Sequence, residues 1–329
     1  MKKNLLLGMA ATFILVLGMS PNLFAASDYP TKTISIINAY PPGGTLDIPS
    51  RTFAAFAEKQ FGKPVVVITK TGGGGVVGFQ AGAEAPPDGY TLTTGTSNMT
   101  LVSEGELASG RSSNFTYRDF VPIGSFILDP AIVVVNFNSR WKTLADFIKD
   151  CKAKPGSIAY SSGGNFSIGH IAVEVLTRAA GIKCRHVPYK GGGPALAAAV
   201  GDNVDFLSTF PTSSIELIRG KKIRALAIQS DRRLKALPDV PSVKELGLDA
   251  EYQTWVGVLA PKGTPQPIVE KLRAVLAKGV EDKSFHQPIE ARGGEVRYLN
   301  SDQLAKYWES ETQKVKKIIS EIVKENPMK

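Results

Sequence analysis

Asn38-Ala-Tyr-Pro-Pro-Gly-Gly-Thr-Leu-Asp47 is the stretch on which the reading of the chain turns. Before it, Thr33-Ile-Ser-Ile-Ile37 alternates polar and apolar residues, which predicts a buried β-strand. After it, Ile48 to Glu58 carries apolar residues at helical spacing. The stretch therefore joins the first strand to the first helix of an α/β unit. Pro41 and Pro42 restrict the backbone, while Gly43 and Gly44 are free to take positive φ and admit a ligand close to the main chain. Thr45 or Asp47 is placed to cap the helix, and the amides of its first turn form an anion site. A plain strand-to-helix turn explains the same residues, so the rest of the chain has to decide.

The first residues set the compartment. Met1-Lys-Lys3 is a basic start, Leu5 to Met19 an apolar run broken by Gly8 and Gly18, and Pro21 to Ala26 ends in small residues. That is the layout of a secretory signal peptide over residues 1–26, cleaved near Ala25 or Ala26, and an exported, periplasmic protein is expected. The mature chain of about 300 residues is long enough for two domains. Its net charge falls from +9 to +7 as Lys2 and Lys3 leave, spread without any Lys/Arg block, so nucleic acid is not an expected partner. Cys151 and Cys184 remain in an oxidising compartment and form a candidate disulfide, the alternative being two unrelated buried thiols. His170, His186 and His286 form no metal-ligand spacing, and no cofactor is expected.

Strands and helices alternate beyond the first unit. Pro64 to Ile68 reads as a strand leading into Gly72-Gly-Gly-Gly75-Val-Val-Gly78, a formal match to the dinucleotide fingerprint. That match fails in context, because the acid due about twenty residues on is replaced by Thr94-Gly-Thr-Ser-Asn98. The glycines are better read as a turn whose backbone packs close to a helix or a ligand. Tyr90 to Thr94 is a strand ending in the hydroxyls of Thr96 and Ser97, where open α/β sheets bind ligands, although a helix cap explains those residues equally. Phe115 to Pro122 reads as irregular, and Ile123 to Leu128 as a further strand. A second α/β unit follows: strands at 131–135, 157–160, 185–190, 204–207 and 223–228, and helices at 144–152, 168–180 and 195–200. In it Ser167 is the expected N-cap of the 168–180 helix. From Ala236 the character returns to that of the first unit, with a strand at 254–261 and amphipathic helices at 267–282 and 301–326.

These motifs together resemble the tripartite tricarboxylate transporter receptors, the Bug or TctC-like solute-binding proteins. The likeness rests on Tyr29-Pro30, Tyr40 to Asp47, Gly72 to Gly75, Pro87-Asp-Gly-Tyr-Thr-Leu92, Gly95-Thr-Ser97 and Ser167-Ile-Gly-His170. It continues through His186-Val-Pro-Tyr-Lys-Gly191, Lys222 to Ala227, Leu237-Pro-Asp-Val-Pro-Ser242 and Ala260-Pro-Lys-Gly-Thr-Pro265, in the family's order and over essentially the whole mature chain. The resemblance implies a type II periplasmic-binding-protein fold, two α/β domains around a ligand cleft. Domain 1 is expected at 27–126 plus 232–329 and domain 2 at 127–231, with hinges near Phe126–Asp129 and Ser230. It implies a monomer that captures a small carboxylate, a di- or tricarboxylate or another organic acid, and hands it to a membrane permease. Matched positions put Tyr40, Gly43, Gly44, Thr45, Asp47, Thr96 and Ser97 on one lip, and Gly164, Asn165, Ser167, Tyr189 and Thr209 on the other. Backbone amides and hydroxyls would hold the carboxylate without an arginine.

One departure bears on the ligand. Many family members carry an acid shortly after the strand matching Val204–Leu207, able to meet a ligand amino group; here Ser208-Thr209-Phe210 is uncharged. Set against the family's pattern, this departure points to a ligand without an amino group. A hydrolase is disfavoured: Asn165-Phe-Ser-Ile-Gly169 lacks the first glycine of a nucleophile elbow, and His170 fits a packed structural role. A ligand sensor docking on a signalling partner would use the same fold and pocket.

Overall fold

The computed structural model describes residues 28–42 and 46–325. The stretch 1–26 expected to be a signal peptide, and Gly43, Gly44 and Thr45, lie outside the described residues. No helix among the described residues is long and apolar enough to cross a membrane.

Two sheets organise the chain. The first contains β1 (Ile34–Asn38), β2 (Val65–Thr69), β3 (Thr91–Thr96), β4 (Phe120–Pro130), β10 (Gln253–Pro261) and β11 (Val296–Asn300), in the order β11-β4-β10-β3-β1-β2. β1 runs parallel to β2 and β3, and β10 inserts antiparallel between β3 and β4. The second sheet contains β5 (Ile132–Asn136), β6 (Ala159–Ser162), β7 (Arg185–Pro188), β8 (Phe206–Thr209) and β9 (Ile223–Ile228), in the order β7-β6-β8-β5-β9. Around the first sheet pack α1 (Asp47–Phe61), α2 (Val76–Ala83), α3 (Asn98–Ala108), α8 (Gln266–Glu281), α9 (Lys283–Glu290) and α10 (Ser301–Glu325). Around the second pack α4 (Leu144–Ala153), α5 (Ile168–Ala180), α6 (Gly192–Val200) and α7 (Pro211–Arg219).

Each lobe buries apolar side chains on both faces of its sheet, as sheets covered by helices must. Ile34, Ile36, Phe53, Phe126 and Phe285 share one core of the first lobe, and Phe79, Met99, Trp255 and Trp308 the other. In the second lobe Val133 and Val135 face Phe147 and Phe206, while Ile132 and Val134 face Leu196 and Leu207. That alternation along β5 is period two.

The lobes are joined tightly. Only Ala131 separates β4 in one sheet from β5 in the other. Its N–H donates to the Tyr252 carbonyl at 3.0 Å, its carbonyl accepts from Gln229 N–H at 2.7 Å, and the Tyr252 N–H donates to Gln229 at 2.9 Å. The two crossings thus form one short ladder. β4 continues as strand to Pro130, so the expected boundary at 126 cuts through a strand. Past residue 232, Leu234 and Leu237 pack with Ile132 and Val134, and Val243 and Ala250 with Val133. Those apolar side chains find cover only on the second sheet, and the chain rejoins the first at Gln253.

α10 spans both lobes. Leu304 and Trp308 sit in the first lobe's core, while Val315, Ile319 and Ile322 pack with Ile171 and Phe166 from the second. Arg178 of α5 pairs with Glu321 at 2.9 Å and Glu325 at 3.2 Å. Sequence periodicity anticipates most elements, but α2, α3, β11 and α9 were not named and β4 begins at Phe120 inside a stretch read as irregular; β11 carries Arg297 and is only half-buried, and Pro288 interrupts α9. β8 falls two residues later than expected; just before it Asp205 is tied to Ala159 twice, its N–H donating to the Ala159 carbonyl at 2.9 Å and its carboxylate accepting the Ala159 N–H at 2.7 Å.

Candidate functional site

In the first lobe, candidate residues gather at the carboxyl ends of β1 and β3. Tyr40, half-buried, donates its hydroxyl to the Gly74 carbonyl at 2.9 Å and meets the Phe79 ring edge-on at 6.0 Å. Asn98 Nδ2 bonds the same hydroxyl and the Gly74 carbonyl. Burial pushes the Tyr40 phenol well above its ordinary range, so it stays a neutral donor. Its ring ties the β1 turn to the Gly72–Gly75 turn, a role the sequence did not disclose. Asp47 is not a cap: it is the first residue of α1, its carboxylate accepts from Arg51 Nε at 2.9 Å, and the N-cap position belongs to Leu46, which makes no side-chain cap bond. Thr96, 2% exposed, lies 3.2 Å from Thr254 across the sheet, hydroxyl to hydroxyl. Ser97 precedes α3 without a side-chain cap bond, and its Oγ accepts from the Trp255 N–H at 3.3 Å.

In the second lobe the loop from Ser161 to Ser167 is held from within. Tyr189 N–H donates to the Ser162 carbonyl and Gly191 N–H to Gly163, which draws the loops after β6 and β7 together. Ser162 Oγ donates to the Gly164 carbonyl at 2.9 Å and lies 2.6 Å from His186 Nε2. Gly164 has φ +125°, a conformation L side chains rarely adopt. Asn165 is exposed at the loop tip. Ser167 caps α5 as expected, accepting from the His170 N–H at 3.4 Å. Thr209 ends β8, buried opposite Ile132.

Two features were missed in the sequence. Phe166 has φ +57°, strained for a bulky residue, and is buried across the lobe boundary against Gly105 of α3, where a Cβ would lie 2.5 Å from its ring. Beneath it Tyr160, His186 and His170 form a stack, with centroids 4.8 Å and 4.0 Å apart. His170 Nδ1 accepts the Phe166 N–H at 3.0 Å, which requires an unprotonated Nδ1. Burial pushes His170 down to about 3 and His186 down to about 4. An unfolded histidine takes up its proton near 6.5, so below that pH the unfolded chain binds more protons and stability falls. The decline is expected to begin near pH 6.5 and run through about 4 for His186 and about 3 for His170. Thermal melts over that range should show a shallower decline for His170→Asn, whose side-chain oxygen keeps the acceptor without titrating; parallel curves would reject the assignment.

Cys151 and Cys184 do come together. Their sulfurs are 3.9 Å apart as two free thiols, close but unbonded.

The chain matches the family model described as tripartite tricarboxylate transporter family receptor over residues 50–323. It belongs to that receptor family. Protein BugT of Bordetella pertussis is 31% identical over 325 residues, covering 98% of each chain. Among solved structures, Rpa4515 of R. palustris with adipate superposes with a TM-score of 0.79 at 26% identity, over 88% of this chain and 98% of that one. MatC of Rhodopseudomonas palustris with bound malate gives 0.77 at 25% identity, over 88% of this chain and all of that one. The periplasmic binding protein BugD gives 0.78 at 27% identity, over 89% of this chain and 98% of that one. As a member of this receptor family the protein binds its solute and is not an enzyme. The two-lobed α/β fold is that of periplasmic binding proteins.

Proposed function

We propose that this receptor captures a small carboxylate between its lobes in the periplasm and delivers it to the membrane subunits of a tripartite transporter. The observation that carries the reading is the composition of the two facing edges. Hydroxyls stand at strand ends at Thr96, Ser97 and Thr209 and at a helix start at Ser167, with no lysine or arginine among these lip residues. Amides at helix N-termini favour an anion without a fixed cation. The adipate and malate in Rpa4515 and MatC support the same class of ligand here. We assign lobe 1 to residues 28–130 plus 253–325 and lobe 2 to 131–252, closing about the Ala131–Gln229–Tyr252 ladder. On this reading Cys151 and Cys184, once exported, are positioned for oxidation to a disulfide.

The test is thermal unfolding of the mature protein against a panel of small carboxylic acids and their amides, after denaturation and refolding to empty the site. A ligand at 100 times its Kd is expected to stabilise by about 2.7 kcal/mol, a shift of about 4 °C for a chain of about 300 residues. A shift with an acid but not its amide supports the reading; a shift with neither, across the panel, rejects it.

A further inference from the structure

Asp129 is a carboxylate held where a carboxylate is unfavourable. It is 1% exposed, on β4 two residues before the Ala131 crossing and opposite Thr254 on β10. Oδ2 accepts from the Thr212 hydroxyl at 3.1 Å, and the Thr212 amide adds a second bond to the carboxylate. Oδ1 has no hydrogen-bond partner among the described residues. Native structures rarely leave a buried acceptor of this kind without a reason.

Its surroundings supply one. Thr254, opposite Asp129, reaches Thr96 of the first lip, so a polar row runs Thr96–Thr254–Asp129 and ends on Thr212 at the start of α7 in the other lobe. Thr212 lies three residues past β8, where the sequence offered no acid after the strand. The first lobe brings an acid to that place instead.

We propose that Asp129 recognises an ammonium group on the ligand, so that the preferred solute is an amino-bearing carboxylate. The proposal rests on the carboxylate-receptor reading and reverses the expectation drawn from Ser208-Thr209-Phe210. An ammonium N–H would complete Oδ1 with a charge-assisted bond, which a ligand lacking the amine leaves unmade. Burial, with the Glu295 charge adding to it, pushes the carboxyl up to about 7 against the Thr212 bonds. Near neutrality the empty site therefore holds a proton that an arriving ammonium displaces. Of the other charged groups on the surrounding elements, Arg232 pairs with Glu295 at 2.7 Å, Arg297 donates to Gln253, and Glu216 further along α7 pairs with Arg219.

Titration calorimetry on the refolded mature protein, comparing L-aspartate with succinate, L-glutamate with glutarate and 4-aminobutyrate with butyrate, tests this. In at least one pair the amino-bearing member is expected to bind about tenfold or more tighter. Asp129→Asn should abolish that preference, so that the two members of the pair bind with similar affinity. At pH 6, binding of the amino-bearing member by the wild type should release a proton, seen as a heat that varies with the buffer's ionisation enthalpy; this readout decides the matter if the variant does not fold. Des-amino acids binding as tightly, a preference that survives Asp129→Asn, or no proton release overturns the role of Asp129 while the carboxylate reading stands. Silence from every pair overturns the role of Asp129, and silence across the wider panel of acids as well overturns both.

Discussion

Gly78→Ala is expected to impair both stability and ligand capture. A Cβ at Gly78 would lie 2.6 Å from the Ala39 Cα and 2.6 Å from the Lys70 carbonyl oxygen. Both obstacles are backbone, so no rotamer change relieves them; α2 has to lift away from the end of β1. Overpacking of this kind costs about 1–3 kcal/mol, and more where main chain must move. Ala39 precedes Tyr40, whose hydroxyl fastens the Gly72–Gly75 turn, so the displacement reaches the first lip directly. The expected result is a lowered Tm together with weakened ligand binding in the same calorimetric assay. Gly74→Asn supplies the contrast: its φ of +68° suits asparagine and nothing lies within 4 Å of a Cβ there, so stability should hold. A Gly78→Ala protein with wild-type Tm and affinity would show that α2 does not brace the lip.

Phe126→Ala carries the largest expected loss of stability, about 3–5 kcal/mol. The ring is fully buried, 5.2 Å from Phe285 in an edge-to-face contact and 6.4 Å from Phe53 in a stacked one. It fills the core between β4 and α1, away from the polar row. Urea unfolding should show a lower midpoint at unchanged m-value, and ligand affinity below the transition should remain near wild type. A loss under about 1 kcal/mol would mean that the core collapses around the missing ring far better than close-packed interiors do. The two substitutions are thus expected to separate: one damages core and site together, the other core alone.

Local signals carried much of this architecture. The 168–180 helix with its Ser167 cap and the strand at 223–228 were legible because capping and apolar periodicity act over a few residues. Gly78 makes a close helix–strand contact, as expected of a glycine turn whose backbone packs against a neighbouring element. Where the reading failed, a non-local partner had taken over. Thr96 and Ser97, capable caps, are engaged with Thr254 and Trp255, 158 residues away in each case. Asp47 is the exception, meeting a local partner, Arg51, one turn along the same helix. Residues 232–250 went to the second sheet because that is where their apolar side chains are covered.

By itself the sequence determined the α/β alternation, the glycine-rich turn, the ordered motifs of the receptor family and the hydroxyl-bearing strand ends. Each is set by short-range backbone preference or by which residue types stand next to one another. Only the tertiary structure decided which strand carries the chain between lobes, that His170 and His186 stack under the Phe166 loop, and that Asp129 sits buried beside Thr212 with one oxygen unpaired. The reason is physical: burial and the pairing of polar atoms depend on groups distant in the chain, and a carboxylate reads the same in sequence whether it meets water or the interior.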